Sequence, residues 1–155
     1  VDSARFFSQG NRMTYDESVE IGTVAKYLAD QSHQFTQYSG VRPNGVALII
    51  AGIDQKGESI YVTDPSGTYV QFAAVAIGAN SDDVNEFLEK HYNPDMSIDD
   101  AASLAIAAIN LKEEQKDGTD DIKMAKITTK AKVFEKVSKS DLQKYSQNTS
   151  KFATE

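Results

Sequence analysis

The sequence predicts an α+β fold, and three observations carry that prediction. Apolar residues recur at three- and four-residue steps in three separate stretches. Strand-like runs cluster in two other places. The connections within each strand cluster are only turn-length. Helices and strands thus come in separate runs, which argues for α+β layers and against a βαβ crossover arrangement. At 155 residues the chain has the length of one domain, predicted here over residues 1–145, with a polar tail over 146–155.

The first stretch, Asp2 to Arg12, holds helix formers without a clean stripe. A clearer helix follows, because Ile21, Val24, Ala25, Leu28, Ser32 and Phe35 fall on one face. Ser39-Gly40 supplies its stop and Pro43 forbids continuation. Val46 to Ala51 is a continuous apolar run between glycines, which suits a strand buried on both faces. Asp54 to Glu58 is turn chemistry, and Ser59 to Thr63 alternates as a strand does. Asp64-Pro65-Ser66-Gly67 is a four-residue turn in which Pro presets φ and Gly admits positive φ. Thr68 to Ile77 resumes as a strand, so a three-stranded antiparallel meander is expected.

Ser81 is the predicted N-cap of the next helix, with Asp82 and Asp83 in its first turn. Val84, Phe87, Leu88 and His91 form its inner stripe, and Asn93-Pro94 ends it. Ser97-Ile98-Asp99-Asp100 reads as a capping box with Asp in place of Glu. The stripe after it is alanine-rich: Ala101, Leu104, Ala105, Ala108, Ile109 and Leu111. Ile122–Thr128 and Ala131–Val137 predict a closing hairpin, and Ser140-Asp141-Leu142 starts a short last helix.

Composition narrows the function classes. A formal charge of −7 lacks the basic footprint that phosphate backbones need, so nucleic acid is not an expected partner. The absence of cysteine removes disulfides, thiol catalysis and thiolate metal sites. No apolar run reaches the length of a membrane span, and no signal peptide opens the sequence, so no membrane partner is expected. Val1, with no initiator methionine, reads as a cut point. The tripeptide Asn148-Thr149-Ser150 fits the glycosylation pattern but has no secretory feature beside it.

Chemistry-bearing residues are sparse. His33 lies off the apolar stripe of its helix and reads as solvated. His91 reads as a partly buried, satisfied imidazole. Two isolated histidines without cysteine do not make a zinc site. Asp117-Gly118-Thr119-Asp120-Asp121 lacks the alternating ligands and terminal Glu of a calcium loop, and reads as a solvated connection. Gly40, Gly45, Gly52 and Gly57 match no phosphate fingerprint. No catalytic, cofactor-binding or metal-binding residue is assigned, and no cofactor is expected.

Several linked stretches resemble one family. Tyr27 to Asn44, YLADQSHQFTQYSGVRPN, is similar to the segment of archaeal-type proteasome α subunits in which a helix runs into TQYGGVRP. Gly45 to Ile53 matches the strand that follows, and Asp64 to Tyr69, DPSGTY, matches a turn of proteasome subunits. Ala76-Ile77-Gly78, then Phe87-Leu88-Glu89-Lys90 and Tyr92, match the α-type pattern, and Met96 to Ala108 fits the next helix. Asn44 departs from the aromatic usual after Arg42-Pro43.

The resemblance implies the C-terminal part of an α-β-β-α four-layer sandwich of the N-terminal-nucleophile hydrolase type. It implies that the gate segment, the first strands and the lysine pocket for activator tails lie upstream of Val1. Active β subunits carry GSGS-like and RDxxSG-like stretches; here the equivalents are Ile77-Gly78-Ala79-Asn80-Ser81 and Gln115 to Asp120, without those groups. The resemblance therefore implies a non-catalytic subunit of the outer heptameric ring. Its partners would be other α subunits, β subunits and a regulatory ATPase or activator. Its location would be cytoplasmic, and also nuclear in a eukaryote. The alternatives are a catalytic β-type threonine protease subunit and a stand-alone binding module reusing the fold.

Overall fold

A computed structural model describes residues 1–40, 42, 45–112, 119 and 121–152. The order of elements is the predicted one: two helices, three strands, two helices, two strands and a short helix. They group into two compact units, Val1–Ala73 and Ala74–Glu155.

The first unit begins with α1 (Asp2–Tyr15), which extends past the predicted Arg12 and ends at Asp16 in the left-handed region. It buries none of its residues completely, and Phe7 stacks on Tyr27 of α2 with ring centroids 4.2 Å apart. Such a stack contributes about 0.5–1.5 kcal/mol beyond its buried area. Helix α2 (Ile21–Gln37) buries Val24, Ala25, Leu28 and Ala29. Phe35, expected on the buried stripe, is exposed, and the fully buried part of the stripe ends at Ala29.

Strands β1 (Leu48–Asp54), β2 (Gly57–Thr63) and β3 (Tyr69–Phe72) form the predicted antiparallel meander in the order β1-β2-β3. Gly52 approaches Ile21 and Tyr61 approaches Gly22, which identifies the face that meets α2. By strand alternation and register, Ile49, Ala51 and Ile53, then Ile60 and Val62, then Val70 and Phe72 share the opposite face. Ile49 is 45 % exposed, Val70 53 % and Phe72 41 %. The expectation that Val46–Ala51 is buried on both faces is therefore corrected. The strand starts at Leu48, lies at a sheet edge, and alternates between partly buried and exposed residues. β3 also stops five residues short of the predicted Ile77.

The second unit is built around α4 (Ile98–Ile109), which follows α3 (Ser81–His91). Phe87 and Leu88 of α3 pack with Leu104 and Ala108, joined by Ala76, Met96 and Phe152. Ile106 packs instead with Leu142 and Tyr145 of α5 (Lys139–Gln147). With neighbours on two sides, α4 buries Ser103, Leu104, Ile106 and Ala108. That arc is displaced from the predicted stripe, and Ile109 is exposed. Ser97 caps α4 as predicted, its hydroxyl accepting from the Asp100 N–H at 3.1 Å. The N-cap of α3, however, is Asn80 in left-handed conformation, not Ser81.

β4 (Ala125–Ile127) and β5 (Phe134–Lys136) form the closing hairpin, shorter than predicted. Ser138 caps α5, one residue before its first helical position. Residues of the expected polar tail complete α5 and form a 3-10 turn at Thr149–Phe152, whose Phe152 joins the α3–α4 core. Among the described residues no helix is long and apolar enough to cross a membrane.

Gly67 has φ +89°, and a Cβ there would lie 2.6 Å from His33 Cβ and 2.8 Å from the Ala29 carbonyl oxygen. Gly40 shares φ +89° but has open space around it. Gly67→Ala is therefore expected to cost about 2 kcal/mol or more and Gly40→Ala about 1 kcal/mol. Chemical denaturation of the two variants beside the parent checks the difference.

Candidate functional site

Three polar arrangements occupy the motif positions, and each spends its hydrogen bonds on backbone groups and neighbouring side chains of the chain itself. The first is the turn after β2. Asp64 Oδ1 accepts from the Ser66 N–H at 2.7 Å and the Ser66 hydroxyl at 2.5 Å. Its Oδ2 accepts from the Thr68 hydroxyl at 2.6 Å. The Ser66 and then the Thr68 hydroxyl hold the Asp64 carboxyl down at about 2, since donors to a carboxylate favour its charged form. The backbone closes the same loop, with Gly67 N–H donating to the Asp64 carbonyl and Asp64 N–H to the Thr68 carbonyl, each at 3.1 Å.

The turn is docked on α2. His33 Nδ1 lies 3.3 Å from the Ser66 carbonyl oxygen, and its Nε2 lies 3.0 Å from Gln37 Nε2. The imidazole is exposed, as read from the sequence, but its ring nitrogens join the turn to the next helical position. The DPSG motif is thus a self-contained staple between strand and helix.

The second arrangement fixes the start of α2. Asp54, the last residue of β1, accepts from the Ile21 N–H through Oδ2 at 2.9 Å and from the Lys56 N–H through Oδ1 at 2.7 Å. The Ile21 N–H is the foremost cause of its lowered pKa. Glu20 at the N-cap makes no side-chain cap, so a residue distant in sequence satisfies a helix-end donor. Glu20 Oε2 instead pairs with Lys56 Nζ at 2.8 Å on the surface.

The third holds the Ala76-Ile77-Gly78 motif. Asn85 Oδ1 accepts from the Ala76 N–H at 2.7 Å, while Asn85 Nδ2 donates to the Ala76 carbonyl at 3.1 Å. Both polar groups of Ala76 are therefore taken by one side chain. Gly78 at φ +107° and Asn80 at φ 58° then turn the chain into α3. The stretch Ile77–Ser81 therefore serves as a helix entry.

His91 is partly buried, with Nδ1 2.9 Å from the Phe87 carbonyl oxygen and its ring 4.3 Å from that of Phe87, as expected of a satisfied imidazole. The acidic stretch Asp117–Asp121 and the stretch Gln115–Asp120 lie largely outside the described residues, as do Val41, Pro43 and Asn44. Among the described residues no group of His, Asp and Glu could hold a metal ion. From sequence Asp54 is read only as the first residue of a turn, and Asn85 is not singled out. Their partners lie 33 and nine positions away, and periodicity carries no signal for such pairs.

The Asp64 carboxyl titrates lower in the folded chain than its ordinary value of about 3.9. Its contribution to stability is complete above that value and is lost as pH falls toward about 2. Asp64→Asn is thus expected to lower the unfolding temperature at pH 7, with the gap to the parent closing as pH drops toward about 2. Thermal melts across that range check the slope. Asn85→Ala strands two backbone groups and is expected to cost about 1–3 kcal/mol, with Asn85→Asp, which keeps only the acceptor, also destabilising. Denaturant titration measures both.

Comparison with known proteins agrees with this arrangement of motifs. The family profile described as Proteasome subunit matches residues 1–127. A proteasome subunit alpha of Archaeoglobus fulgidus is 41 % identical over 145 residues, 94 % of this chain and 58 % of the relative. The Pyrococcus horikoshii proteasome subunit alpha is also 41 % identical, over 94 % of this chain and 55 % of its own length. A Saccharolobus islandicus proteasome subunit alpha is 40 % identical over 149 residues, 95 % of this chain and 62 % of the relative. The chain thus spans little more than half the length of the curated relatives it matches. On the family match and these relatives, the chain belongs to the proteasome-subunit family, whose fold is that of the N-terminal-nucleophile hydrolases.

Proposed function

We propose that this chain is part of a non-catalytic α-type subunit in the outer heptameric ring of a proteasome core particle. The observation that carries this reading is the identity of 40–41 % to proteins named proteasome subunit alpha, sustained over 94–95 % of the chain. Its work is steric: a closed ring of repeated subunits, made through heterologous contacts, restricts entry to the proteolytic chamber. The partners are other α subunits, the β ring and a regulatory ATPase or activator. The location is the cytoplasm, with the nucleus added in a eukaryote.

The motif chemistry supports a structural role. Asp64, Ser66, Thr68, Asp54 and Asn85 all hold backbone or turn geometry, and none needs a substrate to complete its hydrogen bonds. The finer fold we propose is the four-layer α-β-β-α sandwich, with a second sheet laid on the face carrying Ile49, Val70 and Phe72. Completing the burial of those side chains is worth about 1 kcal/mol or more apiece, enough to favour that layer.

Co-expression with a proteasome β subunit, followed by native mass spectrometry and electron microscopy, tests the reading. A ring-bearing particle that contains this chain is expected. A covalent inhibitor of threonine proteases is expected to label the β partner and leave this chain unlabelled. Particles that exclude the chain, or labelling of the chain itself, overturn the assignment.

A further inference from the structure

The charge of this chain is unevenly placed. Residues 123–144 carry seven lysines against Glu135 and Asp141, a net +5 in a chain whose total is −7, which leaves −12 on the remainder. That basic segment contains the β4–β5 hairpin. Lys123, Lys130, Lys132, Lys136 and Lys139 are all exposed, while Lys126 faces Glu135 across the ladder.

The hairpin is also built to present its tip. Ile122, Met124 and Val137 at its base pack on the core of Ile106, Leu142 and Tyr145. Val137 N–H donates to the Met124 carbonyl at 3.0 Å, closing the ladder from that side. At the other end Lys132 N–H donates to the Thr128 carbonyl at 2.8 Å, and Lys132 itself takes φ 52°. Holding a non-glycine residue in that region costs about 1 kcal/mol or more, so the turn's shape is over-determined by its bonds. Next to it stand Val133, 54 % exposed, and Phe134, 62 % exposed. An aromatic anchor rimmed by cations on a pre-shaped turn has the anatomy of a protein-docking element.

The complementary sign lies on the same unit. Asp82, Asp83, Glu86 and Glu89 are exposed along α3, where Lys90 pairs with Glu86 at 2.6 Å and the surface keeps a net negative charge. We infer that the β4–β5 hairpin of one copy of this chain docks on the acidic α3 surface of a second copy. The two surfaces are different parts of the chain, so the contact is heterologous, as closure of a ring requires. The inference rests on the proposed ring role and deepens it by naming the elements that meet. Opposed charges of this kind steer encounter and reject wrong registers more than they add affinity, and salt screens them.

The test is charge reversal with rescue, read by sedimentation velocity at low and high salt, about 0.05 M and about 0.5 M. The parent chain is expected to self-associate, more weakly at high salt. The triple variant Lys130→Glu, Lys132→Glu, Lys136→Glu and the double variant Glu86→Lys, Glu89→Lys are each expected to weaken association about tenfold or more at low salt. Mixing the two variants is expected to restore it. Phe134→Ala is expected to weaken it at both salt concentrations. Circular dichroism shows whether each variant folds, and Lys→Gln at the same three positions replaces the reversal if it does not. Association of the variants equal to the parent's, or no restoration on mixing, overturns the inference while leaving the ring role standing. A parent chain that stays monomeric at low salt also overturns it, and exclusion from particles formed with β subunits separately removes the ring role.

Discussion

Helix α2 is tied to the meander at two separated points, and the geometry of the first unit depends on both. At its start, the carboxylate of Asp54 receives the Ile21 N–H. Farther along, the turn through Gly67 comes so close to Ala29 and His33 that no side chain fits between them. A helix pinned at two points on a sheet can neither rotate nor slide. Its apolar stripe, Val24, Ala25, Leu28 and Ala29, is then committed to the interior. The glycines at 22 and 52 add to this, because each admits a side chain of the opposing element where a Cβ would crowd it.

The second unit uses a different device. Among the described residues no glycine contact sets the spacing there; α4 instead lies between two partners, with Leu104 and Ala108 toward α3 and Ile106 toward α5. Alanines and Ser103 keep the helix narrow enough for both neighbours. Asn85 performs the equivalent of the Asp54 anchor by occupying the backbone of Ala76 before α3 begins. In both units, then, a side chain borrowed from a regular element fixes an irregular segment.

Much of this was legible in the sequence, for identifiable reasons. Periodicity exposed α2 and α3, and turn chemistry at Asp64–Gly67 gave the meander its antiparallel order. The capping pattern at Ser97 located the start of α4 to the residue. What failed was everything set by partners distant in sequence. The stripe of α4 was misplaced because its second neighbour, α5, could not be foreseen from α4 alone. Residues 46–51 suggested a strand covered on both faces because their composition records burial but not which chain segment provides it. The motif residues were found by resemblance, yet their purpose became visible only through bonds such as those of Asp64 to Ser66 and Thr68.

The open face of the meander bears on the order of events during synthesis. Each strand of Leu48–Phe72 pairs with its immediate successor, so all of the ladder's contacts are local in sequence. Ladders of low contact order close quickly, and slower steps follow. The row of Ile49, Val70 and Phe72 is therefore complete early and remains in water until something reaches it. During that interval its two edge strands offer unpaired backbone to any neighbour. For such a chain the concentration and timing of its companions count for as much as the stability of the finished fold.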